Sequence, residues 1–289
     1  MNRAERFFSV EQRAEALLRD KGILELPVDP FSIAESEGII VEPKPDTAKG
    51  VSGMLLRDGD TFGIMYATDI QNEGFQRFSI AHELGHYFLE GHPEHVLDNG
   101  HHASHAGFSS SDHYELEADH FAASLLMPHR FFKVALGKYA PGLDAILEMA
   151  DLCKTSLTAT AIRYTELTDD AVAIIVSIGP IIDYGFLSGS MKSFLGSELM
   201  WPRKGTPVPQ STETARFNAE PDRVTQNERS DGETDLMDWL GGRESVMVTE
   251  EVIGLGEYGK TLTVLSSESL DQDDDEEGLV ESWTPRFRR

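Results

Sequence analysis

The sequence has few cysteines, few basic residues and no long apolar stretch, and each shortage excludes a class of protein. Cys153 is the only cysteine among 289 residues, so the chain can form neither an internal disulfide nor a cysteine-based zinc site. The N-terminus lacks the apolar region of a signal peptide, and no stretch approaches the roughly 18 apolar residues of a membrane-spanning helix. We therefore expect a cytoplasmic protein with no membrane partner.

Basic residues are scarce beside acidic ones. The chain has 25 Lys and Arg against 50 Asp and Glu, which gives a formal net charge of −25. A chain with this charge repels the phosphate backbone of nucleic acids and tolerates a basic partner better. We therefore expect no strong DNA binding.

Histidine, in contrast, is concentrated in one window, because all ten lie between His82 and His129. The window begins with His82-Glu83-Leu-Gly-His86. Residues four apart lie one turn apart on the same face of a helix, so both histidines can direct an imidazole at one zinc ion. Glu83 lies beside them, where it can polarise water at the metal. The motif therefore predicts a catalytic zinc site.

The helix around this motif is apolar nearly all round, which predicts that it is buried. A buried histidine pair with unsatisfied ring nitrogens is costly, and a bound metal would satisfy them. Gly85 in the middle of the helix costs about 1 kcal/mol relative to alanine, which indicates that another element packs closely there. The alternative is a core helix with two hydrogen-bonded histidines.

A second helix is predicted between His113 and Pro128, and its helical wheel separates two glutamates. Glu115 and Asp119 flank the apolar arc, whereas Glu117 falls on the opposite side. We therefore predict that Glu115 faces inward as the third zinc ligand and that Glu117 faces water. Asp119 can hold the free ring nitrogen of a ligating histidine. A buried structural salt bridge is the alternative role for Glu115.

His92 is a rival third ligand. It follows His82 by ten residues, as in the metzincin pattern His-Glu-x-x-His-x-x-Gly-x-x-His, but that pattern needs glycine where this chain has Leu89. We expect Leu89 to continue the helix and carry His92 away, so His92 remains the lesser alternative.

Two sequence blocks resemble the ImmA/IrrE family of bacterial metallo-endopeptidases. They are Arg77-Phe-Ser-Ile-Ala-His-Glu-Leu-Gly-His86 and Glu115-Leu-Glu-Ala-Asp-His-Phe-Ala-Ala-Ser-Leu-Leu-Met-Pro128, and the resemblance extends over about residues 30–165. It implies a thermolysin-like, gluzincin-like peptidase. It also implies cleavage of helix-turn-helix repressors of the XRE type, which relieves repression in phage induction or in a stress response.

The resemblance also implies roles for particular residues. His82, His86 and Glu115 match the family's ligands for one Zn²⁺ per chain, and Glu83 matches its catalytic glutamate. These assignments agree with those made from helical spacing.

We predict an α+β protein in four parts. A minimal thermolysin-like zinc peptidase core, a small sheet plus helices, occupies residues 1–140, and a helix-turn-helix-like segment occupies residues 141–168. A mostly β C-terminal extension follows at residues 169–266, and residues 267–289 form an acidic, disordered tail.

Within the core, residues 10–21 and about 30–37 predict helices and residues 39–43 a strand. Residues 51–67 predict a hairpin with its turn at Arg57-Asp-Gly-Asp60. An edge strand of this hairpin can bind an extended peptide by strand addition, and a purely structural hairpin is the alternative.

Residues 91–112 predict a long loop without structure of its own, either a lid or a solvated insertion. In the helix-turn-helix-like segment, the second helix offers only Arg163 as a base, so we favour a scaffold or docking role over DNA reading. Residues 202–234 predict a loop. The strands predicted in the extension are residues 171–178, 181–187, 245–253 and 261–265.

The function that these features indicate is that of a zinc-dependent endopeptidase. The alternative is a non-catalytic, zinc-containing regulator that binds a repressor or DNA. The intact Glu83 argues against the alternative, because a purely structural site has no need of that carboxylate. Candidates for stabilising the oxyanion are Tyr87, Arg77 and the histidines of residues 91–112.

Overall fold

The structure, a computed structural model, describes residues 2–45, 50–97, 100–105 and 112–267. The chain divides into two compact units, each discontinuous in sequence: unit 1 is residues 1–135 and 148–160, and unit 2 is residues 136–147 and 161–289. The segment 141–168 contributes to both units. The division into four functional parts that was expected from the sequence stays a prediction.

The N-terminal helix α1 (Arg3–Asp20) begins before the predicted start at residue 10. The Asn2 side chain accepts a hydrogen bond from the backbone N–H of Glu5, and the Glu5 carboxylate accepts one from the N–H of Asn2. This capping box satisfies two donors that a helix start leaves without a partner, and so supports the additional turns. The predicted second helix is confirmed as α2 (Pro30–Ser36), capped by Asp29.

A four-stranded sheet forms the β part of unit 1. Its strands are β1 (Ile40–Pro43), β2 (Val51–Asp58), β3 (Thr61–Tyr66) and β4 (His101–His105). The predicted hairpin is confirmed, because β2 and β3 pair antiparallel up to Asp58 and Thr61. The strand order is β1-β3-β2-β4, so β4 lies at one edge and β2 is internal. Strand β3 is internal as well, so the prediction that a strand of this hairpin offers a free edge to an extended peptide is wrong in this structure.

Helix α3 (Glu73–Phe88) carries the His-Glu-x-x-His motif, and α5 (His113–Leu126) packs against it. The predicted close approach at Gly85 is confirmed, because a Cβ built there would lie 3.1 Å from the Cα of Ala118. Phe121, at the same contact, is fully buried, as is Leu84 next to Gly85 in the chain. This near-backbone contact brings the facing side chains of the two helices to one place.

The prediction of an unstructured loop at residues 91–112 is wrong for the part that the structure describes. Helix α3 ends at Phe88, and Gly91, with a φ of 80°, precedes a short helix α4 (His92–Val96). Leu89 caps α3 and does not continue it, so the chain turns back and His92 becomes buried. Strand β4 then pairs with β2. Residues 98–99 and 106–111 lie outside the described part.

Helix α5 ends before Pro128, as predicted, and three further helices follow. They are α6 (His129–Leu136), α7 (Leu143–Cys153) and α8 (Leu157–Leu167). The last two are the predicted helix pair. Arg163 on α8 is 2% exposed, and its guanidinium lies 3.0 Å from the Glu166 carboxylate. A basic side chain held in this way is poorly placed to read DNA. The expected scaffold or docking role stays a prediction.

Unit 2 contains a five-stranded antiparallel sheet of order β6-β5-β9-β8-β7. All four predicted strands of the extension are confirmed. The predicted loop at residues 202–234 is wrong, because two short helices and β7 lie within it. The elements of this region are β5 (Val172–Ile178), β6 (Ile181–Leu187), α9 (Gly189–Leu195), α10 (Glu213–Asn218), α11 (Pro221–Thr225), β7 (Arg229–Asp235), α12 (Leu236–Leu240), β8 (Met247–Gly254) and β9 (Thr261–Ser266).

Strand β7 escapes detection because its sequence, Arg-Ser-Asp-Gly-Glu-Thr-Asp, has no apolar alternation. Backbone pairing with β8 forms it. The mixed helices and sheets confirm the α+β class. The predicted acidic tail lies outside the described residues from residue 268 onward. No helix in the described part of the chain combines the length and apolar character needed to cross a bilayer.

Candidate metal centre

Helices α3 and α5 bring three of the predicted site residues together in unit 1. His82 and His86 lie one turn apart on α3, and their Nε2 atoms are 3.1 Å apart. Glu115, in the first turn of α5, places Oε2 3.4 Å from Nε2 of His82 and Oε1 3.3 Å from Nε2 of His86. We call His82, His86 and Glu115 the donor cluster.

The spacing of the donor cluster fits a tetrahedral divalent metal. A zinc ion with bonds of about 2.0–2.1 Å requires ligand atoms roughly 3.3–3.4 Å apart. Here the two histidine Nε2 atoms are 3.1 Å apart, and they lie 3.3 and 3.4 Å from different oxygens of the Glu115 carboxylate. Two imidazole nitrogens and one carboxylate oxygen are also the donor set of catalytic zinc sites of the thermolysin kind. The residues present therefore fit a metal in both chemistry and spacing.

Asp119 orients the first histidine. Its Oδ1 lies 2.9 Å from Nδ1 of His82. Because a carboxylate only accepts hydrogen bonds, this contact assigns the proton to Nδ1 and leaves the Nε2 lone pair directed at the donor cluster. Asp119 lies one turn along α5 from Glu115, so one helix face supplies both carboxylates.

His86 is oriented by a chain of contacts that includes His92. Nδ1 of His92 lies 3.2 Å from Nδ1 of His86, and Nε2 of His92 lies 3.3 Å from Oε2 of Glu117. If Nε2 of His92 donates to Glu117, its Nδ1 accepts from His86, and Nε2 of His86 keeps its lone pair for the donor cluster. His92 therefore lies at the far ring nitrogen of His86 and outside the donor cluster.

The prediction that Glu117 faces water is wrong. Its side chain is 15% exposed, less than the 19% of Glu115. The helical wheel placed Glu117 on the side of α5 away from Glu115, but α1 and α4 contact that side. Arg6 of α1 lies 3.5 Å from one oxygen, and His92 of α4 contacts the other.

Glu83 is fully buried beside the donor cluster. Among the described residues, neither of its carboxylate oxygens has a hydrogen bond of good geometry. Burial raises the pKa of the Glu83 carboxyl, against the opposing effects of His82 and of the Ser104 hydroxyl. A Cβ built on Gly53 of β2 would lie 2.6 Å from Oε1 of Glu83. The glycine therefore lets the β2 backbone pass directly against this carboxylate.

The charges around the cluster favour a cation. Burial opposes a charge on His82, but hydrogen bonds to Asp119 and Glu115 raise its pKa to about 10. Burial lowers the pKa of His86 to about 3. Burial would raise the pKa of Glu115, yet hydrogen bonds from His102, His82 and His86 hold it well below its usual range. The surroundings of His82 thus favour a positive charge there, and a divalent metal can supply it in place of a second proton on the ring.

Two residues at the site were not singled out from the sequence, although His102 was included among the histidines of residues 91–112 as an oxyanion candidate. His102 of β4 places Nε2 2.8 Å from Oε1 of Glu115, and its ring centroid is 4.7 Å from that of His86. Gly53 is the other. The alternation of His102 and Ser104 in a histidine-rich stretch was the only available signal for β4.

The predicted oxyanion candidates differ in their surroundings. The Arg77 guanidinium donates to the Val28 carbonyl and lies 3.7 Å from the Asp29 carboxylate. The Tyr87 ring packs edge-on against Phe62, at 4.9 Å between centroids. Of the histidines proposed for this role, His102 contacts the donor cluster.

Comparison with known proteins agrees with this geometry. Residues 34–165 match the IrrE N-terminal-like domain. No curated protein matches the sequence. The fold is similar to that of a solved structure described as a Mycobacterium tuberculosis transcriptional regulator, with 15% sequence identity and a TM-score of 0.55, covering 90% of this chain and 76% of the other. At this identity the likeness concerns the fold alone.

The matched segment contains the donor cluster together with Glu83, Asp119 and the residues that orient the two histidines. Residues 34–165 thus carry an IrrE N-terminal-like domain, which supports membership of the ImmA/IrrE family.

Proposed function

We propose that this protein is a zinc-dependent endopeptidase. The observation that carries the proposal is the donor cluster, with separations of 3.1–3.4 Å, beside the buried carboxylate of Glu83. A structural metal site would not need a buried carboxylate next to its ligands. Membership of a family of peptidases supports the same reaction.

Zinc, when bound by His82, His86 and Glu115, supplies Lewis-acid chemistry that polarises a peptide carbonyl and makes water easier to deprotonate near neutral pH. Glu83 takes the proton from the attacking water and delivers it to the nitrogen of the leaving amine. Burial raises the pKa of Glu83, which suits a group that must first accept and then donate a proton.

The neighbouring side chains keep the ligands in the correct tautomers. Asp119 holds His82 by Nδ1, and His92 holds His86 by Nδ1 with Glu117 behind it. Such contacts fix ring orientation and strengthen the imidazole as a donor. In this proposal they are positioning residues and do not take part in proton transfer.

The substrate that we propose is a repressor of the XRE helix-turn-helix type, in keeping with the family resemblance. Cleavage would relieve repression in the cytoplasm. The formal net charge of −25 supports a basic partner, and DNA-binding repressors carry basic surfaces. This charge would favour encounter with such a protein in the absence of its DNA.

The decisive experiment compares the wild type with Glu83→Gln during co-expression with XRE-type repressors. The substitution keeps the size of the side chain and removes the general base, so cleavage should fall by about 10²–10⁴-fold or more. Zinc content, measured by elemental analysis, should stay at one per chain. Glu90→Gln, at an exposed position just beyond the same helix, is the matched control and should cleave like the wild type.

An intact repressor in every co-expression with zinc-loaded wild-type protein would contradict peptidase activity. If the repressor were captured uncut in a stable complex, a non-catalytic regulator that binds the repressor would become the better proposal for the function. Full cleavage by Glu83→Gln would show that the reaction does not depend on this carboxylate.

A further inference from the structure

Strand β4 lies on the side of β2 that meets the donor cluster. It pairs antiparallel with β2, with His102 opposite Leu55 and Ser104 opposite Gly53. If β4 were removed, β2 would be the edge strand of the sheet at this position. The segment therefore covers the backbone groups through which an edge strand can bind another chain.

The side chains of β4 reach the chemical groups of the site. Successive residues of a strand point to opposite faces, so His102 and Ser104 share one face. Nε2 of His102 lies 2.8 Å from Oε1 of Glu115. Ser104 is buried and lies opposite Gly53, where β2 passes against Glu83. One extended segment thus reaches both a donor of the cluster and the buried glutamate.

An extended peptide that adds to a sheet edge uses the same backbone pairing and the same alternation of side chains. We propose that β4 occupies the place on β2 where an extended peptide substrate pairs, and that it acts as an internal competitor which must leave β2 before substrate binds. This inference rests on the proposed peptidase function.

The contacts of β4 suit a segment that can be displaced. The strand has five residues, and its backbone is tied to neighbouring polar groups. The Ser52 hydroxyl donates to the Ser104 carbonyl at 3.1 Å, and the Arg57 N–H donates to the Gly100 carbonyl at 2.9 Å. A substrate strand can replace backbone contacts of this kind one for one. Because β4 is tethered to the same chain, it competes at a high effective concentration.

A reversible crosslink tests the proposal. Met54 of β2 and Ala103 of β4 lie directly opposite each other, which suits a disulfide between cysteines. The double variant Met54→Cys/Ala103→Cys locks β4 onto β2 when oxidised and releases it when reduced. The native Cys153 is buried. The matched control is Asp58→Cys/Thr61→Cys, which crosslinks the end of the β2–β3 hairpin and leaves β4 unconstrained.

The readout is the binding of two hydroxamates to zinc-loaded protein, measured by calorimetry. Acetohydroxamate needs the metal alone, whereas a tripeptide hydroxamate also needs the β2 edge. Oxidation of the β4 crosslink should weaken binding of the tripeptide hydroxamate by at least about tenfold, and reduction should restore it. Acetohydroxamate should bind both redox forms, and the control variant should bind the tripeptide compound equally in both.

A variant that weakens the attachment of β4 provides a second test of the proposal. His102→Ala removes the contact with Glu115, so the tripeptide hydroxamate should bind about threefold or more tightly. Weaker binding, together with a lower cleavage rate, would place His102 in the working site and overturn the competitor role.

The two proposals fail in different ways. If zinc and acetohydroxamate bind but the oxidised crosslink leaves tripeptide binding unchanged, the inference about β4 is wrong and the peptidase proposal stands. If no form of the protein binds zinc or acetohydroxamate, the peptidase proposal fails and the inference fails with it.

Discussion

At the scale of single residues, the site depends on which carboxylate meets which imidazole. Glu115 and Glu117 are two positions apart on α5 and similarly buried, yet only Glu115 meets both Nε2 atoms of the donor cluster. Glu117 instead contacts His92, and His92 in turn contacts His86. The two glutamates therefore differ in role although their exposure is nearly the same.

This difference predicts opposite effects on metal content. Glu115→Ala should abolish stoichiometric zinc, because it removes one of three protein donors. Glu117→Ala should retain about one zinc per chain, with affinity lowered by roughly 10–100-fold through looser orientation of His92 and His86. Elemental analysis and competition with a chelator measure both. Equal loss in the two variants would show that the ligand has been misassigned, and loss in His92→Ala alone would favour the metzincin-like arrangement.

Gly53 is a second residue with a definite steric role. A methyl group there would lie 2.6 Å from Oε1 of Glu83, so Gly53→Ala must displace the carboxylate. A displacement on the order of 1 Å can lower a catalytic rate about 10²-fold. We expect a loss of peptidase rate of this size with zinc retained, because Glu83 is not a proposed ligand.

The control for this variant is Gly63→Ala in the neighbouring strand, where the nearest atom is the Ile40 carbonyl oxygen at 3.6 Å. Its cleavage rate should match that of the wild type. If Gly53→Ala cleaved at the wild-type rate, the proposed close fit between β2 and Glu83 would not matter for catalysis.

At the scale of elements, the position of α3 is set by two close contacts with other backbones. At Gly85 the helix meets Ala118 of α5, and at Gly74 it meets the turn containing Thr155 and Ser156. These contacts leave no room for a Cβ at normal distances. The helix that carries both histidines is therefore held from two sides within unit 1.

Gly74→Ala should destabilise unit 1 because the new methyl would lie 2.4 Å from the backbone nitrogen of Ser156. Rigid backbone must move, and overpacking of this kind costs about 1–3 kcal/mol, more than alanine's helix preference of roughly 1 kcal/mol returns. Thermal unfolding followed by circular dichroism should show a lower Tm. Gly63→Ala, in the same unit, should unfold close to the wild-type temperature, and an unchanged Tm in Gly74→Ala would contradict the contact.

At the scale of the whole molecule, charge governs which partners can approach. Acidic residues outnumber basic ones 50 to 25, and the base on α8, Arg163, is buried beside Glu166. Neither helix of the helix-turn-helix-like pair therefore presents the exposed basic side chains that DNA binding needs.

We therefore predict weak DNA binding without sequence preference. At physiological salt the dissociation constant for duplex DNA should exceed about 1 μM, because few phosphates can be neutralised. A gel-shift titration with and without the promoter of the co-expressed repressor measures it. Sub-micromolar binding that depends on sequence would contradict this and favour a regulator that acts on DNA directly.

Local periodicity was enough to predict the three residues of the donor cluster. The spacing of His82 and His86 and the wheel position of Glu115 follow from helix geometry alone, and the structure brings these three together. The hairpin of β2 and β3 was predicted from equally local information, because its turn and both strands are contiguous in the sequence. Relations within one helix or one hairpin involve neighbouring residues, and the amino-acid order determines them directly.

The surroundings of the site were decided only by tertiary structure. His92 returns to His86 because α3 ends at Phe88 and the chain turns at Gly91, and Glu117 is covered because α1 and α4 pack on the far side of α5. Strand β4 has no apolar alternation of its own, and it forms through backbone pairing with β2, about 50 positions earlier in the chain. Pairing between distant segments depends on where the rest of the fold places them, so a short polar strand carries too little local signal to reveal its partner.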